Sequence, residues 1–204
     1  MRVGLIVTEQ VGHLTAAAEA RYAHLQAQLA ETMRCDVVKR HYTESLPEVD
    51  ALVLSGSDAP WAAHDPHELD RLGVAVVASR LPVLGICAGL QLLARFAGGV
   101  IEHMPDGVSE RGFDEVTVIR PAAILAGLGD PITVMQRHTD EVTQLPDEFE
   151  LLATGERCRV QALRSRDRPW WGTQFHPEEH DATHRDGMRI LRNFGQLARS
   201  ATSS

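Results

Sequence analysis

Three short apolar runs, "RVGLIV" at 2–7, "DALVLSGS" at 50–57 and "PVLGIC" at 82–87, are separated by stretches with helical periodicity. Continuous β-branched runs of this length are strands buried on both faces, and strands joined by helices of this size pair in parallel through crossovers. Between the first two runs, Thr15 to Met33 is rich in Ala, Leu, Glu and Gln, with Ala18, Tyr22, Leu25 and Leu29 at steps of three and four. Between the second and third, Pro66 to Arg80 is helical, with Pro66 suited to a first turn. "AGLQLLARFAGG" follows the third run as a helix closed by two glycines. The second half reads differently. "FDEVTVI", "PITVMQR", "FELLAT", "RVQALRS" and "WWGTQF" are strands with few helices between them, and "THRDGMRILRNFGQLARS" is a closing amphipathic helix. The prediction is an α/β fold: an open, largely parallel twisted sheet with flanking helices, some antiparallel strands in the second half, and one domain over 1–204.

Composition limits the partners. A chain of 204 residues that is 44% hydrophobic can bury a large core without staples. A formal charge of −8 argues against nucleic acid or an anionic membrane as partner. No apolar run approaches the roughly 18 residues that span a bilayer. The "MRVGLIVTEQ" start has only about five apolar residues in a row, fewer than a signal peptide's apolar core. Cys35, Cys87 and Cys158 are odd in number and widely spaced, unlike a disulfide framework, so a reducing cytoplasm is expected.

Cys87 lies where a buried strand meets a helix, inside "GICAG", the G-x-nucleophile-x-G spacing of a hydrolase elbow. A lone buried thiol is ordinarily a small hydrophobe. Here, however, flanking glycines allow a tight strand-to-helix turn, and a helix N-terminus favours negative charge on the sulfur. A nucleophile needs a base and the base an orienting group. "WWGTQFHPEEH" offers His176 at a strand end and Glu178 across Pro177, whose turn lets the carboxylate fold back on the imidazole. An oxyanion hole would take the amide of Ala88 and those of the small-residue turn "LSGSDAP", at Gly56 and Ser57.

Taken together, "LSGSDAP", "PVLGICAGLQLLARFAGG", "RHTDEV" and "GTQFHPE" make the chain resemble the class I glutamine amidotransferases, glutaminases with a Cys-His-Glu triad, over essentially its whole length. "RGFDEV", "HTDEV" and "RDGMRILRNF" look most like the glutaminase part of GMP synthetases. The resemblance implies a flavodoxin-like sheet, Cys87 as nucleophile, His176 as acid and base, and Glu178 as its orienting carboxylate. It also implies that Gln91, Arg137, Thr139 and Asp140 contact the ends of L-glutamine, that His138 is not catalytic, and that neither a cofactor nor a metal is needed. Ser57 and Asp58 stand where the family's turn usually carries glycine and proline, Ala88 where a bulkier residue is common, and Arg137 where a small one is.

Other readings share these residues. His176, His180 and His184 recur every four positions, as metal ligands on a helix would, but Pro177 interrupts such a helix and "HPEEH" lacks the zinc-protease order. A non-catalytic binding module on the same fold and a stand-alone hydrolase of γ-glutamyl amides are the remaining alternatives. No glycine-rich phosphate loop is present, so transfer of ammonia would require a separate ATP-dependent synthetase subunit. Arg157, Arg159, Arg164, Arg166 and Arg168 are either its docking surface or a solvated hairpin face.

Overall fold

Helices lie on both faces of one mixed sheet in a computed structural model of the chain, which describes residues 1–105 and 107–202. In chain order the elements are β1 (Arg2–Val7), α1 (Ala16–Met33), β2 (Asp36–His41), β3 (Ala51–Leu54), α2 (Pro66–Ser79), β4 (Val83–Ile86), α3 (Ala88–Phe96) and β5 (Val100–His103). There follow β6 (Glu110–Val118), β7 (Ile132–His138), β8 (Asp140–Gln144), β9 (Phe149–Thr154), β10 (Ala162–Ser165), β11 (Trp170–Thr173) and α4 (Asp186–Thr202). The main sheet has the order β2-β1-β3-β4-β11-β10-β9-β6-β7. Strands β2, β1, β3, β4 and β11 are parallel, and β10, β9, β6 and β7 extend the sheet in antiparallel register. The parallel half and the antiparallel extension both match the sequence expectation.

Alternation along the strands explains the layers. Val3, Leu5 and Val7 of β1 point to one face, where they meet Tyr22, Leu25 and Leu29 of α1 and Ile190 and Phe194 of α4. Ile6 points to the other face, joining Leu52 and Leu54 of β3 with Leu69, Leu72 and Val76 of α2 and Leu90 and Leu93 of α3. Both faces are dry, which is why β1, β3 and β4 read as unbroken apolar runs. The helix starts are also set locally. The Thr15 side chain accepts a hydrogen bond from the Ala18 N–H, and the Asp65 side chain accepts one from the His67 N–H just ahead of Pro66.

The structure adds three strands that the apolar pattern missed. β2 is an edge strand with partly exposed Lys39 and Arg40, and β5 and β8 form a separate antiparallel pair rich in Glu, His and Asp. The "RVQALRS" strand is confined to Ala162–Ser165, and its pairing with β9 shifts register between Ala162 and Leu163. The closing helix begins at Asp186 rather than Thr183. Asp181 accepts hydrogen bonds from the Thr183 and His184 amides and holds those residues in a turn.

Connections matter more for function than strand count. The chain leaves β1 toward one sheet edge and β3 toward the other, so the β1/β3 boundary is a switch point with a crevice at the strands' carboxyl ends. The segments after β1, β3, β4 and β11 all emerge at that end. Phe194 of α4 is fully buried, with its ring against the edge of Trp171 at 6.0 Å between centroids. Phe194→Ala is therefore expected to cost about 3–5 kcal/mol in urea unfolding. A loss below about 1 kcal/mol would mean that α4 is not packed as described.

Candidate active site

Cys87 occupies the one-residue junction between β4 and α3 with φ 52° and ψ −109°. For a non-glycine residue this left-handed backbone costs about 1–3 kcal/mol and persists only when its surroundings enforce it. The enforcing contacts are explicit. The Cys87 N–H donates to the Thr173 carbonyl at 2.7 Å, and the Cys87 carbonyl accepts from the Gln91 N–H at 3.1 Å as the first helical bond. The flanking glycines act differently from the flexible turn that the sequence suggested, since neither lies in the left-handed region. They permit close approach: a Cβ on Gly85 would fall 2.5 Å from the Gly89 carbonyl carbon, and one on Gly89 would fall 2.3 Å from the Leu54 oxygen.

His176 stands just beyond β11. Its backbone N–H donates to the Met135 carbonyl at 2.8 Å, which ties the residue to β7 across the antiparallel half. After Pro177 the chain turns back, and the His176 Nδ1–H donates to Glu178 Oε1 at 2.8 Å. Both side chains are buried. His176 Nε2 makes no hydrogen bond among the described residues. Cys87 and His176 share one neighbour: a Cβ on Gly56 would lie 3.0 Å from His176 Cε1, 3.8 Å from Nε2 and 3.5 Å from Cys87 Cβ. The sequence-derived triad and Gly56 thus converge.

Electrostatics follow from burial and pairing. Burial opposes charge on His176, but the Glu178 carboxylate and the Cys87 sulfur outweigh it and push the imidazole pKa up to about 10. Burial likewise works to raise the Glu178 carboxyl, yet the charge and hydrogen bond of His176 hold it below its ordinary value. The pair is an imidazolium–carboxylate couple at neutral pH.

A cavity of about 430 Å³ opens on Cys87 and is lined by Ser57, Ala88, Gln91, Arg137, Thr139 and Asp140 among others, so every expected oxyanion and substrate residue except Gly56 borders it. Gly56 borders a second cavity, of about 510 Å³, together with His176 and Glu178, and Ser57, Asp58 and Arg137 separate the two. Gln91 is not a helix-surface residue, being only 2% exposed. Its Oε1 accepts from Trp61 Nε1–H at 2.9 Å, and its Nε2 donates to the Asp140 carbonyl at 2.8 Å and to Gln174 Oε1 at 3.1 Å. Gln174 Nε2 in turn donates to Cys87 Sγ at 3.6 Å. Both Gln91 donors are thereby used, which leaves a ligand mainly the spare lone pair of Oε1. Arg137 Nη1 pairs with Glu179 at 2.6 Å, and Asp140 pairs with His103 Nδ1 at 2.7 Å.

Other histidines and arginines have their own partners. His138 donates from Nε2 to the cross-strand Glu110 at 2.8 Å, and Glu110 also accepts from Gln161 Nε2 at 2.6 Å, so this buried group braces β6 on β7. The segment carrying His176, His180 and His184 is not helical. His180 Nδ1–H donates to the Pro177 carbonyl, and His184 pairs with Asp181. On the arginine-rich hairpin, Arg164 pairs with Glu150, Arg166 donates to the Asp147 carbonyl and Arg168 lies 5.0 Å above the Trp170 ring. Sequence reasoning missed Glu9, Tyr22, Trp61 and Gln174, whose side chains reach the Gly56 turn or the amide chain leading to Cys87. Glu9 had one available signal, a charge directly after a buried strand.

Residues 17–196 match the family model for the class-I glutamine amidotransferases. The chain belongs to this family. A protein of Thermoplasma acidophilum named for one subunit of a glutamine-hydrolyzing GMP synthase is 39% identical over 154 residues, covering 74% of each chain. Its namesake in Methanothermobacter thermautotrophicus is 40% identical over 120 residues, which span 59% of this chain and 62% of that relative. Among solved structures, a Thermoplasma acidophilum protein described as a GMP synthase subunit superposes with a TM-score of 0.81 at 29% identity, covering 98% of this chain and 96% of the other.

The raised imidazole value gives a direct check. In ¹⁵N NMR, His176 should remain doubly protonated through neutrality and titrate near pH 10, and Glu178→Gln should move the midpoint down, because its carboxylate is the strongest charge favouring the imidazolium. The stabilisation tied to that proton is full below the ordinary histidine value of about 6.5 and is lost as pH rises through about 10. A midpoint near 6.5 in both proteins would contradict the ion pair.

Proposed function

We propose that this chain is the glutaminase subunit of a two-component amidotransferase, acting as a single domain over residues 1–204 in the cytoplasm. The observation that carries the reading is Cys87 on a strained elbow beside the buried His176–Glu178 couple in a class-I amidotransferase chain. Cys87 Sγ attacks the side-chain carbonyl carbon of L-glutamine. The resulting oxyanion is held by the amides of Ala88 and of Gly56 or Ser57. As the tetrahedral adduct collapses, His176 Nε2 delivers its proton to the leaving nitrogen, and ammonia departs from a γ-glutamyl thioester. Water then attacks the thioester while His176 Nε2 takes up a proton, Cys87 is expelled, and glutamate leaves. Glu178 stays ionised and steadies the imidazolium throughout.

At the far end of the substrate, Arg137 suits the α-carboxylate and Asp140 the α-ammonium, with Thr139 and Gln91 completing the subsite. In this reading glutamine takes over from Glu179 and His103 as partner of those charges. The relatives named as one subunit of a glutamine-hydrolyzing GMP synthase support a separate synthetase subunit as partner, which in this reading is ATP-dependent and accepts the ammonia.

The test is release of glutamate and ammonia from glutamine, alone and with the ATP-dependent GMP synthase subunit of the same organism. Cys87→Ser should abolish turnover and leave the unfolding midpoint nearly unchanged. Glu178→Gln should lower kcat less than His176→Ala, since Glu178 orients the base without transferring the proton. Equal turnover by wild type and Cys87→Ser, or none by wild type in either condition, would sink the proposal.

A further inference from the structure

The turn after β3 is held by a buried carboxylate from the neighbouring strand. Glu9, fully buried two residues beyond β1, accepts hydrogen bonds at Oε1 from Ser57 Oγ–H at 2.8 Å and the Ala59 N–H at 3.0 Å. At Oε2 it accepts from the Asp58 N–H at 2.9 Å and the Tyr22 hydroxyl at 3.1 Å. Burial alone would raise this carboxyl, but the amides of Asp58 and Ala59 with the Ser57 and Tyr22 hydroxyls hold it below its ordinary value. The turn is thus fastened at three consecutive residues, and the amides of Asp58 and Ala59 are occupied.

A second set of contacts fixes the preceding peptide. The Gly56 carbonyl accepts from Ser55 Oγ–H at 2.8 Å and faces the Tyr22 hydroxyl at 3.1 Å, whose single hydrogen is shared between this carbonyl and Glu9 Oε2. That peptide is trans, so its N–H, which belongs to Ser57, points opposite to the anchored carbonyl. Gly56 itself lies against Cys87 and His176. Ser57 and Asp58, where glycine and proline are common in the family's turn, are the residues that Glu9 engages. Their side chain or amide takes part in the anchor, and Asp58 is further clamped by Arg21 of α1.

We infer that Glu9 is a positioning residue for the oxyanion hole, holding the 56–59 turn so that the Ser57 amide is aimed at the tetrahedral oxygen formed on Cys87. The inference rests on the glutaminase reading above. It predicts a loss confined to the transition state, because the charge anchors a donor that acts only once the oxyanion exists.

The experiment compares wild type, Glu9→Gln and Cys87→Ser in the glutamine assay just described, alongside the rate of Cys87 alkylation by iodoacetamide, which needs no oxyanion donor. An amide at position 9 cannot accept at both ends, so one turn amide loses its partner. Glu9→Gln should lower kcat about 100-fold, the loss typical of one misplaced oxyanion donor, with KM for glutamine within about threefold and the alkylation rate unchanged. Ser57→Ala, which keeps the backbone amide and removes only its hydroxyl anchor, should shift kcat in the same direction by less. It serves as the test if Glu9→Gln does not fold. A Glu9→Gln kcat within about twofold of wild type, with Cys87→Ser dead, overturns this inference alone. Parallel losses in kcat and alkylation rate also overturn it, since they mark a general loss of structure. A wild type no more active than Cys87→Ser removes the glutaminase reading and this inference with it.

Discussion

Cys87 keeps its left-handed backbone because α3 begins so close to the ends of β3 and β4 that no side chain fits at Gly85 or Gly89. With the helix start pressed against the Leu54 carbonyl, the chain has a single residue in which to pass from extended to helical conformation. The Thr173 carbonyl and the Gln91 amide grip that residue from both sides. The same close approach brings the Gly56 turn over the cysteine, because Gly56 is only two residues past Leu54. Cys87, the helix N-terminus and the small-residue turn therefore have one common origin in the packing of α3 on two parallel strands.

His176 comes from the other half of the molecule. β11 is the last parallel strand and also the first partner of the antiparallel extension, so the segment after it is held by both halves. The bond from His176 N–H to Met135 on β7 makes use of that position. Burying an imidazolium and a carboxylate together is costly unless each is paired, and the 2.8 Å bond between His176 and Glu178 supplies the pairing. Two polar atoms of the couple make no hydrogen bond among the described residues: Glu178 Oε2, and His176 Nε2 on the side of Cys87 and Gly56. An unsatisfied buried nitrogen is a destabilising feature in a protein core, and under the proposed mechanism it is the atom that passes the proton on.

The legible and the hidden parts of this structure divide along physical lines. β1, β3 and β4 could be read because both of their faces are dry, and α1 and α2 because their buried faces repeat at steps of three and four. β2, β5 and β8 could not, since an edge or a two-stranded ribbon leaves polar residues in contact with water. At the site, Cys87, His176 and Glu178 lay in short local motifs. Glu9 did not, and Gln174, although inside "GTQFHPE", could not be read, because the roles of both depend on which strands are neighbours. Gln91 borders the cavity that opens on Cys87, and its amide is part of a hydrogen-bonded chain from Trp61 to Cys87. No local pattern encodes that chain, whose members are 30 and 83 residues from Gln91.

The order β1-β3-β4-β11 gives these separate observations one geometry. Glu9, the Gly56–Ala59 turn, Cys87 and His176 follow the carboxyl ends of four adjacent strands in that order, so each group is supported by the next. In a turn of Gly-Gly-Pro type the proline would fix one φ and carry no N–H. A Gly-Ser-Asp turn lacks that proline and gains a hydroxyl and an amide donor that need an acceptor. A carboxylate on the adjacent strand end meets that need from outside the turn. Ser57, Asp58 and the buried charge at Glu9 are thus parts of one arrangement, in which tertiary hydrogen bonds hold the turn.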